Sequence, residues 1–179
     1  MHAKPEVRVF NSQGHFKARH ARRTEYIGLA VFIGICLAVG ASGSGITATN
    51  IHHWYLSLTP PPLTPPNWVF GPVWGVLYVL MGVAAWLIWR QADLFSQQRR
   101  ALAAWGWQLG VNALWVPVFF GLHLMLPALV VILVLAGMIG FTISRFWPLS
   151  RAASLLMLPY LAWAGFATYL NAGFWWLNH

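Results

Sequence analysis

ALAAWGWQLGVNALWVPVFFGLHLMLPALVVILVLAGMIGFTIS, running from Ala101 to Ser144, contains no Asp, Glu, Lys or Arg. A membrane-spanning helix takes about 20 apolar residues, so this stretch holds two, and Gly121, His123 and Pro127 mark the turn between them. On either side, Tyr26 to Trp89 and Ala152 to the terminal His179 are equally free of charge. Tyr26 to Ile46 supplies a span. Pro60, Pro61, Pro62, Pro65 and Pro66 then interrupt the apolar run, which leaves a second span over Trp68 to Trp89. Ala152 to Trp176 gives the last. The reading is an all-α, polytopic membrane domain of five transmembrane helices over residues 26–179, preceded by a polar, basic, disordered tail over residues 1–25. Only 8% of the residues are charged, against roughly a quarter in a soluble domain; a solvent that penalises charge accounts for the difference.

The cations that remain are placed unevenly. Lys4, Arg8, Lys17, Arg19, Arg22 and Arg23 precede helix 1, Arg90, Arg99 and Arg100 fall between helices 2 and 3, and Arg145 and Arg151 between helices 4 and 5. All eleven therefore lie on one side, which the positive-inside rule makes the cytoplasm. The expected topology has the N-terminus cytoplasmic and the C-terminus outside. The net charge of +8 reads as a topology signal with affinity for anionic headgroups in the lipid bilayer, and no nucleic-acid partner is expected. Basic residues ahead of an apolar run also suggest a secretory signal, but this run exceeds the usual signal core. The single cysteine, Cys36, lies within helix 1 and reads as a small buried hydrophobe.

Helix 3 shows its two faces most clearly. At 100° per residue, Gln108, Asn112, Trp115 and Phe119 gather on one face, with Gly106, Gly110, Ala113 and Pro117 opposite. The Gly106/Gly110 spacing permits close backbone approach of another helix, and a homodimer through this face is one expectation. Asn112 must find a partner in hydrocarbon; an interhelical hydrogen bond and a contact to a ligand both satisfy that need. Helix 2 aligns Phe70, Trp74, Tyr78, Met81, Ala85 and Trp89, and helix 5 aligns Tyr160, Trp163, Ala167, Leu170, Asn171 and Phe174. Such stripes serve packing, or the wall of a pocket for a planar amphiphile. Trp54, Trp68, Trp89, Trp175 and Trp176 suit interfacial anchoring, whereas Trp74 and Trp163 sit deeper than anchors and need acceptors for their indole N–H groups. Thr59 to Pro66 predicts a rigid extended loop, a cap over the bundle or a plain spacer.

Several chemistries find no support. No acid lies within a span to carry protons, and no catalytic Ser-His-Asp set, Cys-His pair or glycine-rich phosphate loop occurs. His52, His53, His123 and His179 gather on the outer face and read as interfacial polar residues rather than metal ligands.

PPNWVFGPVWGVLY at Pro65 to Tyr78, QLGVNALWVPVFFG at Gln108 to Gly121 and LPYLAWAGFATYLN at Leu158 to Asn171, with Trp54-Tyr55 and Leu58 ahead of them, resemble the signature stretches of the TspO/MBR family of tryptophan-rich sensory and translocator proteins. The resemblance runs from about helix 1 to the C-terminus. It implies a five-helix bundle, often a homodimer, that needs no resident cofactor and binds protoporphyrin IX, haem, sterols and isoquinoline carboxamides between the helices beneath the first loop. By motif position, Trp54, Trp68, Phe70, Trp74, Tyr78, Asn112, Trp115, Phe119 and Trp163 resemble its ligand-binding residues. The family's Lys-Pro-x-Trp pattern in the first loop is replaced here by Pro60-Pro61-Pro62-Leu63, and nothing basic follows Tyr169 to complete a sterol pattern. The implied function is a tetrapyrrole receptor or carrier in porphyrin traffic and stress signalling. The alternatives are a Trp-dependent, photo-oxidative porphyrin-degrading enzyme and a ligand-free membrane scaffold that regulates a partner.

Overall fold

A computed structural model of the protein describes residues 22–50, 54–91 and 95–179. Five long helices make up the fold: α1 (Arg22–Asn50), α2 (Phe70–Trp89), α3 (Phe95–Val116), α4 (Met125–Phe146) and α5 (Arg151–Asn178). The five-helix expectation holds, with shifted boundaries. Helix α1 takes in the last four residues of the stretch read as a tail and reaches Asn50; the rest of that tail lies outside the described residues. In its C-terminal half Ser44 Oγ donates to Gly40 O at 2.9 Å and Thr47 Oγ1 to Gly43 O at 3.1 Å, which satisfies both hydroxyls within the helix. Arg99 and Arg100 belong to α3 rather than to a connection, since Gln and Arg are good helix formers that reach water from the first turns.

Helices α1, α2, α4 and α5 are each long and apolar enough to cross a membrane. Helix α3 matches α4 in length, 22 residues each, but it carries Gln97, Gln98, Arg99 and Arg100 in its first turns and Gln108 and Asn112 deeper in. Those last two are buried against the other helices, out of reach of lipid. The chain is a multi-pass membrane protein.

Around the bundle, α1 packs on α2, α2 on α5, α5 on α4, α4 on α3, and α3 returns to α1. The end where α2 and α4 finish and α3 and α5 begin is closely packed. Met81, Ala84, Ala85, Ile88, Ala101, Ile139 and Phe146 fill it. Gln98 donates to the terminal carbonyls of Ile88 (3.3 Å) and Trp89, satisfying groups that a helix end leaves open. Glu25 ties α1 to α2 there: its carboxylate meets Arg90 at 3.4 Å, and its backbone carbonyl accepts from Trp86 Nε1 at 2.9 Å. Gly82 is required where the helices cross, because a Cβ on it would stand 2.7 Å from Ile33 Cα. Cys36 is fully buried at this contact, as expected. Ser150 caps α5 by accepting from Ala153 N at 3.2 Å.

The other end is looser, and proline is the reason. Pro117 cannot donate to the preceding turn, and the chain widens into a π-helical turn over Pro117–Gly121, closed by Leu122 N donating to Pro117 O at 2.9 Å. His123 takes a left-handed backbone (φ 57°) to reverse the chain into α4. The proline-rich loop before α2 is strapped to α5. Thr59 N donates to Asn178 Oδ1 (2.8 Å) while Asn178 Nδ2 donates to Thr59 O (3.0 Å), and Tyr169 OH donates to Pro62 O (2.9 Å). The loop is therefore a fixed part of the bundle rather than a spacer.

Candidate functional site

At this looser end, the inward faces of four helices stand apart and leave a cavity of about 590 Å³. Helices α1, α2, α3 and α5 wall it, together with the π turn and the α1–α2 loop; among the described residues α4 contributes none. Every arginine of α2 to α5 (Arg90, Arg99, Arg100, Arg145 and Arg151) lies in the turns at the opposite end. No charged side chain lines the cavity among the described residues. Its chemistry is that of rings, small residues and neutral polar groups.

Asn112 is the polar centre. Its Oδ1 accepts from Tyr78 OH at 2.8 Å and its Nδ2 donates to Tyr160 OH at 2.9 Å, linking α2, α3 and α5. The interhelical reading of Asn112 is thus realised, and the same residue also lines the cavity. A second polar chain runs beside it, from Trp115 Nε1 to Asn171 Oδ1 (3.1 Å) and from Asn171 Nδ2 to Met125 O (2.8 Å). These bonds hold both amides in place without calling on water.

The rings hold one another at aromatic distances. Trp74 lies 5.7 Å from Tyr78 and 6.1 Å, edge-on, from Tyr160. Trp115 stacks on Phe119 at 5.5 Å. Tyr55, from the turn after α1, packs 5.1 Å from Phe174 and also faces the cavity. Burial pushes its hydroxyl up to about 12, so it is a neutral donor at ordinary pH.

Of the nine residues expected at the site, Phe70, Trp74, Tyr78, Asn112, Trp115 and Phe119 line the cavity. The other three lie off its wall. Trp54 packs edge-on to Phe119 at 5.4 Å and stacks on His123 at 4.3 Å, while His123 Nε2 meets Asn50 Oδ1 at 3.2 Å. His123 is thus a packing partner; His52 and His53 lie outside the described residues. Trp163 contacts Phe70 edge-on at 5.9 Å, and it is Phe70 that faces inward. The Trp163 indole nitrogen is buried without a partner among the described residues. Trp68 is 75% exposed, as an interfacial anchor would be. Gly106 and Gly110 are exposed on the outer face of α3, with open space at each Cβ position.

Sequence reasoning assigned no part of the site to α1, yet Leu37, Gly40, Ala41, Ser44, Thr47 and Ala48 form one wall. Leu37, Ala41, Ser44 and Ala48 are exposed, and α1 is the least enclosed of the apolar spans that wall the cavity. The small residues of GASGSG at Gly40 to Gly45 were the available signal. Asn67, Gly71, Gly75, Phe120 and Asn171 complete much of the rest.

A sequence model of the TspO/MBR family matches residues 32–177, which takes in α2, α3 and α4 whole and most of α1 and α5. The chain belongs to the TspO/MBR family. Among its relatives, the tryptophan-rich protein TspO of Archaeoglobus fulgidus is 42% identical over 142 residues, covering 79% of this chain and 91% of that one. The translocator protein of Homo sapiens is 40% identical over 127 residues, 70% of this chain and 75% of that one. Protein CrtK of Rhodobacter capsulatus is 36% identical over 152 residues, 83% and 91% of the two chains. The TspO/MBR match spans every residue that lines the cavity.

Proposed function

We propose that this TspO/MBR protein is a membrane receptor or carrier for tetrapyrroles of the porphyrin and haem type, serving their traffic and the signalling of tetrapyrrole stress. The observation that carries this reading is the cavity of about 590 Å³ walled by Phe70, Trp74, Tyr78, Trp115 and Phe119 around Asn112. That volume lies within the range of roughly 300–1,000 Å³ typical of small-molecule sites, which pair apolar walls with a few placed polar groups. A flat macrocycle gains from stacking on these rings, and Asn112, already fixed by two tyrosines, orients it with its remaining N–H.

Because no charge lines the described wall, the carboxylates of a porphyrin leave the cavity toward the proline-rich loop and water, where their desolvation is avoided. With the arginine-bearing end in the cytoplasm, that mouth faces outward. Two copies associate through the open Gly106/Gly110 face of α3, which admits a second backbone closely. Titration of the detergent-solubilised protein with protoporphyrin IX tests the reading. Saturable quenching of Trp emission, weakened in Asn112→Ala, is expected; unsaturable quenching identical in both proteins overturns it.

A further inference from the structure

At the end of the bundle far from the cavity, α3 and α4 enclose a second, polar hollow of about 240 Å³, lined by Gln97, Arg100, Ser144, Arg145 and Pro148. We propose that this hollow binds the phosphate of an anionic phospholipid. Arg100 of α3 and Arg145 of α4 both line it, and guanidinium forks match phosphate oxygens with paired N–H donors. The Gln97 amide adds a further donor. Ser144 shapes the wall only, since its hydroxyl donates to Phe141 O at 2.7 Å.

Arg90 and Arg151, at the same end, do not line the hollow. Arg90 pairs with Glu25 at 3.4 Å and lies 4.6 Å over Trp86, and Arg151 sits 5.8 Å over the Trp147 ring. Glu25 is the one acid among the described residues, so within them no carboxylate lies in the hollow to neutralise Arg100 and Arg145. Among the described residues the hollow therefore carries two cations and no side chain of opposite charge.

The surroundings select a lipid over free phosphate. Trp107, two turns along α3 on the face of Arg100, is 72% exposed, and Phe141, one turn before Arg145 on α4, is 55% exposed. Both lie on the apolar side of the hollow, where acyl chains run when a headgroup phosphate occupies it. Arg145 reaches back over Phe141, its guanidinium 5.9 Å from that ring, which places the cation at the boundary between chain and headgroup. A soluble phosphate makes no use of these two rings.

Native mass spectrometry of the full-length protein, offered phosphatidylglycerol and phosphatidylcholine together, tests the site. Wild type is expected to retain phosphatidylglycerol preferentially. Arg100→Gln/Arg145→Gln reduces that preference on the order of ten- to thirtyfold, while Arg151→Gln leaves it intact. An unchanged preference in the double variant overturns the proposal. An equal loss in Arg151→Gln does so too, by making the effect one of diffuse charge. Displacement of the lipid by inorganic phosphate reassigns the hollow to a free anion. Should the double variant fail to fold, phosphatidylglycerol with a photoreactive acyl chain is applied to wild type. Labelling concentrated at Trp107 and Phe141 supports the site, and labelling spread evenly over the lipid-facing helices refutes it.

Discussion

Gly82→Ala is the substitution whose outcome the geometry constrains most tightly. A Cβ at residue 82 would stand 2.7 Å from Ile33 Cα and 2.8 Å from Ile33 N. Carbon atoms settle at about 3.5–4.0 Å, so α1 must retreat from α2 by roughly 1 Å. The obstacle is backbone, which no rotamer change relieves. Overpacking of this kind costs about 1–3 kcal/mol. Helix α1 is the least enclosed of the four apolar spans, so it is the element that yields. Cys36, the chain's single cysteine, is fully buried on that helix within a turn of Ile33 and reports the movement. Labelling with a membrane-permeant maleimide in detergent is expected to accelerate about five- to a hundredfold in Gly82→Ala, with a lower Tm. Gly34→Ala is the control, because its Cβ meets nothing within 4 Å. Equal labelling and melting of the two variants would refute the close-approach argument.

Other parts of the structure make predictions of their own. Asn112→Leu strands the Tyr78 and Tyr160 hydroxyls and is expected to destabilise the fold by about 1–2 kcal/mol, read as a fall in Tm that Tyr78→Phe in the same chain partly reverses. Asn178→Ala removes both bonds to Thr59; hydrogen exchange at Thr59, the backbone donor of that pair, should rise while the interior of α2 stays protected. Tyr55 holds its proton to about 12 in the folded protein, against 10.0 when free of burial. The stability tied to its burial is present below pH 10 and lost as pH rises from about 10 to 12. Tyr55→Phe should flatten alkaline unfolding in that window, and an unaltered alkaline limb would remove Tyr55 from the account.

The five spans were legible because hydrocarbon excludes charge, and the charge-free runs mark where it lies. Their ends were less so. Gln98, in the first turns of α3, turns inward to cap α2, a tertiary contact that composition does not encode. The inner face of α3 was readable from its 3.6-residue period, and Gln108, Asn112 and Phe119 are indeed buried. Trp68, placed at the site by its position in the family motif, lies off the cavity wall in a 3₁₀ turn over Asn67–Val69, whose register differs from that of α2. The wall from α1 escaped notice for a different reason. A cavity is missing side-chain volume, and Gly40, Ala41 and Ser44 announce it only by being small.

Filling the cavity from within tests the central claim most directly. Gly75 lines it, and a Cβ placed there meets open space, so Gly75→Phe inserts a ring without disturbing the helix contacts. Protoporphyrin IX titration, followed by Trp quenching, should saturate in wild type and in the outward-facing Gly34→Phe, and weaken tenfold or more, about 1.4 kcal/mol, in Gly75→Phe. Wild-type affinity in Gly75→Phe would contradict the account, because the ligand would then be bound somewhere else.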